Sequence, residues 1–251
     1  MKHFEYDFNN PNIKALTTTI EDGNMAYQVG KDAQSVKENR QKIIDELYND
    51  ADHLIFVHQS HSDVIKEVTK EDLGKGRDNF ASGVEADGLY TKEKGIALGI
   101  FHADCVPIFF YDKKKDIIGV IHCGYRGAKK HTAQKMMMTF IEKERINPKD
   151  LIINIGPYRQ IQSFHISDAE ERKELIKLGL PLIGDCFDLY FAVLVDLLGL
   201  GIQDKNITDI NIDAYRDERC FSAVNNKKPV GRMASIIINV VVNFFFLFFS
   251  F

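Results

Sequence analysis

Apolar positions along this chain fall into two kinds of run. Four segments carry helical spacing. Residues 35–48 open with Ser35, a residue suited to cap a helix start. Residues 128–145 set Ala133, Met136, Met137, Phe140 and Ile141 on one stripe, which predicts a single long helix. Residues 168–178 are charged and read as a surface helix. Residues 186–198 carry Phe187, Tyr190, Val193, Leu194, Leu197 and Leu198 at helical intervals. Between these lie short apolar or β-branched runs at 54–58, 95–101, 106–111, 117–122, 151–155, 211–214 and 235–242, which predict strands. The turn DKKKD at 112–116 separates two of them, so 95–122 reads as consecutive strands in antiparallel hairpins ahead of the long helix.

The expected fold class is mixed α/β. No GxGxxG follows a strand and no GxxxxGK[ST] is present, which argues against dinucleotide-binding and P-loop folds. No repeat or linker divides the chain, so residues 1–243 read as one domain, with 244–251 as an apolar tail. The end of the chain, ASIIINVVVNFFFLFFSF, approaches the length of a bilayer span. Asn239 and Asn243 would be costly in lipid, and the β-branched run suits a buried strand, so no membrane anchor is expected.

Composition changes this picture little. The chain has 251 residues, a net charge of -4 and no CxxC pair among Cys105, Cys123, Cys186 and Cys220. Nothing electrostatic favours a nucleic acid partner. The basic runs 113–115 and 129–130 read as solvated faces. The start, MKHFEYDFNN, lacks the apolar core of a signal peptide, so free thiols in a cytoplasmic location are expected.

Three short motifs carry chemistry: HQSHSDV at 58–64, HADCVPI at 102–108 and HCGYRG at 122–127. His61, Cys105 and His122 lie near strand ends, where a fold can converge side chains. Two imidazoles and a thiolate are a ligand set for Zn²⁺, with copper as second choice, and three ligands leave one position open. Separations of 44 and 17 residues are not diagnostic by themselves. His102 would point away from Cys105 in an extended strand, and His58 would reach a site with His61 only if that segment turned helically. His131 reads as solvated.

HxxH, ADCVP and H-x-G-[aromatic]-R-G, in this order, resemble the laccase-domain family (multicopper polyphenol oxidase-like), now described as purine nucleoside phosphorylases. VKENR at 36–40, ADGLYT at 86–91, IGP at 155–157, DL at 188–189 and VGRMAS at 230–235 extend the resemblance over most of the chain. It implies a layered α/β/β/α domain and a metal held by His61, Cys105 and His122 as the catalytic centre. It also implies a cytosolic enzyme that uses phosphate and purine nucleosides, with adenosine deaminase and methylthioadenosine phosphorylase activity, as monomer or homodimer. Arg126 is then a phosphate contact or a structural ion pair, Tyr125 (where the family usually has Trp) a pocket wall or a packing residue, and Gln59 a substrate contact or a packing residue. Asp104 either tunes Cys105 or shapes a strand-end turn, and Asp104 or Asp87 would shuttle protons. Two arginines usual in the family are missing, at Thr19 and Val224, which removes possible anion contacts. A metal-free Cys–His hydrolase and a non-catalytic metal-binding protein are the rival readings. Copper oxidase chemistry needs more ligands than eight scattered histidines supply.

Overall fold

The computed structural model describes residues 3–30, 32–47 and 53–240. The tail 244–251 and the last two residues of the predicted 235–242 strand lie outside the described residues. Two sheets form the centre. One runs β1 (Phe4–Glu5), β2 (Ile13–Thr17), β13 (Met233–Asn239), β6 (Ala97–His102) and β3 (Leu54–Phe56). The other runs β12 (Ile207–Asp209), β9 (Leu151–Ile155), β7 (Val106–Asp112), β8 (Ile117–Cys123), β5 (Gly88–Thr91) and β4 (Ile65–Glu67). Both sheets are mixed: β3 pairs β6 in parallel and β4 pairs β5 in parallel, while β7 and β8 form an antiparallel hairpin.

Strand alternation explains the layers. Phe109, Tyr111, Ile118 and Val120 face the first sheet, where Leu98, Ile100 and Ile237 meet them. Their neighbours Ile108, Phe110 and Ile121 face the other way, onto Met136, Met137, Phe140, Val193 and Leu197. The first sheet turns its outer face, with Phe56, Phe101 and Ile236, to Ile43 and Ile44 of α1 (Ala33–Leu47). The result is helix, sheet, sheet, helix. Because both faces of each central strand are buried, those strands read as continuous apolar runs rather than as alternation.

The structure corrects several expected elements. The single long helix is broken into α2 (Tyr125–Lys129), α3 (Thr132–Met138) and a π turn over Thr139–Lys143. The break falls at His131, whose φ of 55° is left-handed, a feature that apolar spacing does not register. The side chain of His131 is not simply solvated, because its Nδ1 bonds Asp196 Oδ1 at 2.8 Å. The 186–198 helix starts late: Cys186–Phe187 is a strand, β11, paired with β10 (Leu182–Ile183), and Asp188 caps α5 (Leu189–Leu198) by accepting from Phe191 N. The helix α4 spans Ala169–Lys177. Asp32, not Ser35, caps α1 through Ser35 N at 3.0 Å. Residues 211–214 are not a strand; the edge strand is Ile207–Asp209, parallel to β9. The edge strands Phe4–Glu5 and Ile65–Glu67 and the interior strands Ile13–Thr17 and Gly88–Thr91 are short runs with too little apolar pattern to be read in advance.

One correction matters for function. β6 and β7 do not form a hairpin; they lie in different sheets. The link His102–Ala103–Asp104–Cys105 therefore crosses between sheets, and Asp104 turns it with a φ of 85°. That crossover presents Cys105 at the strand ends, in line with the end of β8. No helix of the described residues is long and apolar enough to cross a membrane.

Candidate active site

The ends of β3, β7 and β8 bring His61, Cys105 and His122 together. One donor atom from each lies within 4.8 Å of the other two. The two imidazole rings meet edge to face, with centroids 4.8 Å apart. Cys105 and His122 sit at the same open end of the β7–β8 hairpin, one on each strand, where Val106 pairs with Cys123 and Pro107 with His122.

Asp87, just before β5, organises the cluster from behind. Its buried carboxylate accepts from the backbone N–H of Ser60 (3.2 Å), His61 (3.0 Å) and Ser62 (2.6 Å) and from Ser62 Oγ (2.6 Å). Its Oδ1 also accepts from His122 Nδ1 at 2.9 Å. A carboxylate can only accept here, so a proton resides on Nδ1, and Nε2 is the nitrogen left on the Cys105 side, which must give up any proton of its own to take a cation. The loop wraps so tightly that His61 itself adopts a left-handed φ of 59°. Thr132 Oγ1 and Lys130 Nζ tie the same loop to α3 and its N-terminal side, through Ser62 O and His61 O.

Electrostatics favour a positive centre. Burial pushes the Asp87 carboxyl up, yet the bonds from His122 and Ser62 outweigh it and hold its pKa at about 2. Burial likewise raises the Cys105 thiol, but His122 and His61 override it and pull it below its ordinary value. Burial lowers His122, and the Cys105 sulfur and Asp87 reverse this and raise it. The shifts describe a Cys105 thiolate and a His122 imidazolium that stabilise each other; a metal would take the place of the imidazolium proton between the same donors. Gly124 is required beside it: a Cβ there would lie 2.5 Å from Cys105 Sγ and 3.4 Å from His61 Cδ2.

The cluster forms the floor of a cavity of about 270 Å³. Phe101, Tyr125, Phe164 and Leu189 supply apolar walls, and Arg126, Arg159 and Arg232 supply positive charge. Arg126 is exposed and has no hydrogen bond or ion pair among the described residues, which leaves no structural ion pair to explain it. Arg159 stacks on Phe164 at 4.3 Å and donates from Nε to Ser163 O. Burial lowers the pKa of Arg159 and Arg232, partly offset by Asp104. Tyr125 packs edge-on against Phe187 at 5.3 Å.

The other expected residues divide. Gln59 lines the cavity, but its amide grips the backbone of Phe101, donating to O at 2.7 Å and accepting from N at 2.9 Å. Phe101 is backed by the buried guanidinium of Arg40, from VKENR, which lies 4.4 Å from the Phe56 ring and 4.7 Å from the Phe101 ring. The side chain of Asp104 does not turn toward the cluster. It accepts from Ser222 Oγ (2.7 Å), Ala223 N (2.7 Å) and Val224 N (3.2 Å), and so holds the loop at 222–224 over the cavity. His58 lies against Phe80, outside the cluster. His102 lines the cavity but gives Nε2 to Ser235 Oγ at 2.8 Å. Val224 does line the cavity, whereas Thr19 is buried with Asp22 and does not.

Asp87, expected as a proton shuttle, acts here as a brace for the cluster. Two further cavity residues were not singled out in the sequence. Arg232 lies in VGRMAS, so that motif held a signal for it. Arg159 follows IGP in a loop, with no pattern to mark it.

Residues 15–239 match the family model described as multi-copper polyphenol oxidoreductase laccase. Among curated relatives, purine nucleoside phosphorylase YlmD of Geobacillus stearothermophilus is 37% identical over 85% of this chain and 82% of its own length. Purine nucleoside phosphorylase of Staphylococcus epidermidis is 29% identical over 94% of this chain and 95% of its own. The match to YlmD of Bacillus subtilis is 41% identical but spans only 51% of this chain and 46% of that relative. The crystal structure of the Geobacillus YlmD superposes with a TM-score of 0.86 at 28% identity, covering 95% of this chain and 97% of that one. The Bacillus licheniformis YfiH structure gives 0.81 at 26% identity, covering 90% and 92%.

Proposed function

The chain belongs to the multi-copper polyphenol oxidoreductase laccase family, and from that premise we propose that it is a metal-dependent purine nucleoside phosphorylase. The reading extends to adenosine deamination and to phosphorolysis of methylthioadenosine. Its metal is zinc, with copper second, at His61, Cys105 and His122. Its location is cytoplasmic, in keeping with four free cysteines. The observation that carries the proposal is the coincidence of that donor cluster with a cavity walled by aromatic rings and three arginines.

When bound there, zinc supplies a Lewis acid with a vacant position, suited to polarising an oxygen of water or phosphate. The rest is the work of side chains. Arg126, Arg159 and Arg232 bind phosphate oxygens and supply the charge that the missing arginines at Thr19 and Val224 do not. Tyr125 and Phe164 offer faces for the flat purine. The apolar walls exclude water, which strengthens each charge contact. Asp87 holds a proton on Nδ1 of His122 and leaves Nε2 on the Cys105 side, and Asp104 keeps the 222–224 loop in place.

Incubation of zinc-loaded protein with adenosine, inosine and methylthioadenosine, with and without phosphate, tests this directly. The expected products are free base and ribose 1-phosphates in phosphate, and inosine from adenosine without it. Absence of both in protein with one zinc per chain would sink the enzyme reading and leave a metal-binding protein. Undiminished turnover after verified zinc removal would instead favour Cys105 as a nucleophile paired with His122.

A further inference from the structure

A second cluster of the same donor types lies on the outside of the pocket wall. His165, Asp185 and Cys186 each offer a ligand atom, all within 4.8 Å of one another. We propose that these three residues form a second metal site, one that takes a zinc-like divalent cation and clamps the β10–β11 hairpin to the segment carrying Phe164.

The backbone builds the site. His165 and Cys186 pair across an antiparallel bridge. The flanking hydrogen bonds run from Phe187 N to Phe164 O and from Ile166 N to Asp185 O. His165 and Cys186 are therefore a non-hydrogen-bonded cross-strand pair, the kind in which side chains approach most closely on one face. Asp185, in the turn before β11, stays on this face, while Phe164 and Phe187 lie on the opposite one. There Phe164 and Phe187 meet edge to face at 5.4 Å and pack with Tyr125 along the cavity.

The spacing fits coordination. A tetrahedral ion with bonds of about 2.0 Å to nitrogen or oxygen and about 2.3 Å to sulfur sets its ligand atoms about 3.3–3.6 Å apart. His165 Nδ1 lies 3.5 Å from Cys186 Sγ; the Asp185 carboxylate reaches the imidazole through Oδ2 at 3.3 Å and the sulfur through Oδ1 at 3.6 Å, so it straddles the two donors, and one oxygen from it comes within 4.8 Å of both. Thiolate plus imidazole selects a zinc-like ion over magnesium or calcium, which need oxygen ligands. Binding releases the thiol proton to solvent, so thiolate and carboxylate together neutralise a divalent charge. All three residues are reachable from solvent, so loading needs no opening of the fold.

The test uses cobalt as the probe, because cobalt–thiolate bonding gives a charge-transfer absorption. Full-length Cys105→Ser protein removes the thiolate of the inner cluster. On cobalt titration it should show the thiolate band with one equivalent bound, and Cys105→Ser/Cys186→Ser should show none. No band in the single variant, or a band that survives in the double variant, overturns the site. If Cys105→Ser does not fold, zinc content decides: wild type should retain two equivalents and Cys186→Ser one, and equal loading overturns the site. Neither readout depends on nucleoside turnover, so the outcome is separate from that of the proposed activity.

Discussion

The inner cluster of His61, Cys105 and His122 and the outer trio of His165, Asp185 and Cys186 use nearly the same donors in opposite surroundings. The inner one is recessed, braced by a carboxylate that makes five hydrogen bonds, and faced by arginines. The outer trio is largely solvent-exposed, its backbone held by two bonds to the Phe164 segment and by the short β10–β11 pairing. Donor identity alone does not make a reaction centre. Burial, a braced imidazole and a cavity with charge on its walls separate a site that can do chemistry from one that can only hold a cation.

Breaking each sulfur in turn should give the largest contrast. Cys105→Ser removes a ligand from the cavity floor and should lower nucleoside phosphorolysis on the order of 10³-fold or more. Cys186→Ser should leave kcat/KM within about twofold, since its side chain lies on the far face of the wall. Steady-state kinetics on both variants, at matched zinc loading, checks the pair. Comparable losses would erase the distinction between the clusters.

The brace can be weakened without touching a ligand. Asp87→Asn should lower zinc affinity about 10–100-fold by chelator competition, because His122 loses the carboxylate that orients it. It should also change how the metal-free protein responds to acid. The folded pKa of Asp87 is about 2, below the ordinary carboxylate value. Its contribution is therefore fully present above about pH 4 and is lost as pH falls toward 2, worth on the order of 2 kcal/mol. Urea unfolding at pH 7 and pH 3 should show a steeper acid loss for wild type than for Asp87→Asn. Identical pH dependence would mean that the brace contributes nothing to folding.

Close packing sharpens the comparison further. Gly124→Ala would place a methyl 2.5 Å from Cys105 Sγ. The sulfur or the start of α2 must shift, at a cost of about 1–3 kcal/mol. Zinc affinity should fall while the outer cluster still binds cobalt. A variant with unchanged zinc affinity and thermal midpoint would show that the backbone yields there freely.

Legibility in the sequence followed the same divide. His61, Cys105 and His122 could be proposed because their residue types are rare and their motifs distinctive. Mixed α/β was legible because β7, β8 and β13 are apolar runs set against helical stripes, whereas the layering came from the family resemblance and not from spacing. The hidden parts depend on backbone sign and on partners distant in the chain. The left-handed turn at His131 breaks a helix whose apolar spacing continues through it. The crossover at Asp104 sends β6 and β7 to different sheets, where the succession of short strands over 95–122 suggested adjacent hairpins. Asp104 and Asp87 were both candidates for proton traffic, and only their contacts distinguish a loop anchor from a ligand brace. The outer trio joins residues some twenty positions apart across a two-residue strand that periodicity assigned to a helix.

The smallest expected effect concerns Arg126, the most exposed of the three arginines. A charged hydrogen bond to phosphate is worth about 1.5–3 kcal/mol when formed, and less where water competes. Arg126→Ala should therefore raise the KM for phosphate about tenfold with kcat nearly unchanged. Arg159→Ala, which also loses its stack on Phe164, should lower both phosphate and nucleoside binding. Arg126→Lys keeps the charge but not the paired donors, so it should recover only part of the loss. Full recovery by lysine would make Arg126 a general attraction for anions, and no change on alanine substitution would place phosphate on Arg159 and Arg232 alone. Neither outcome should alter cobalt binding at the outer cluster, which lies on the opposite face of the same wall.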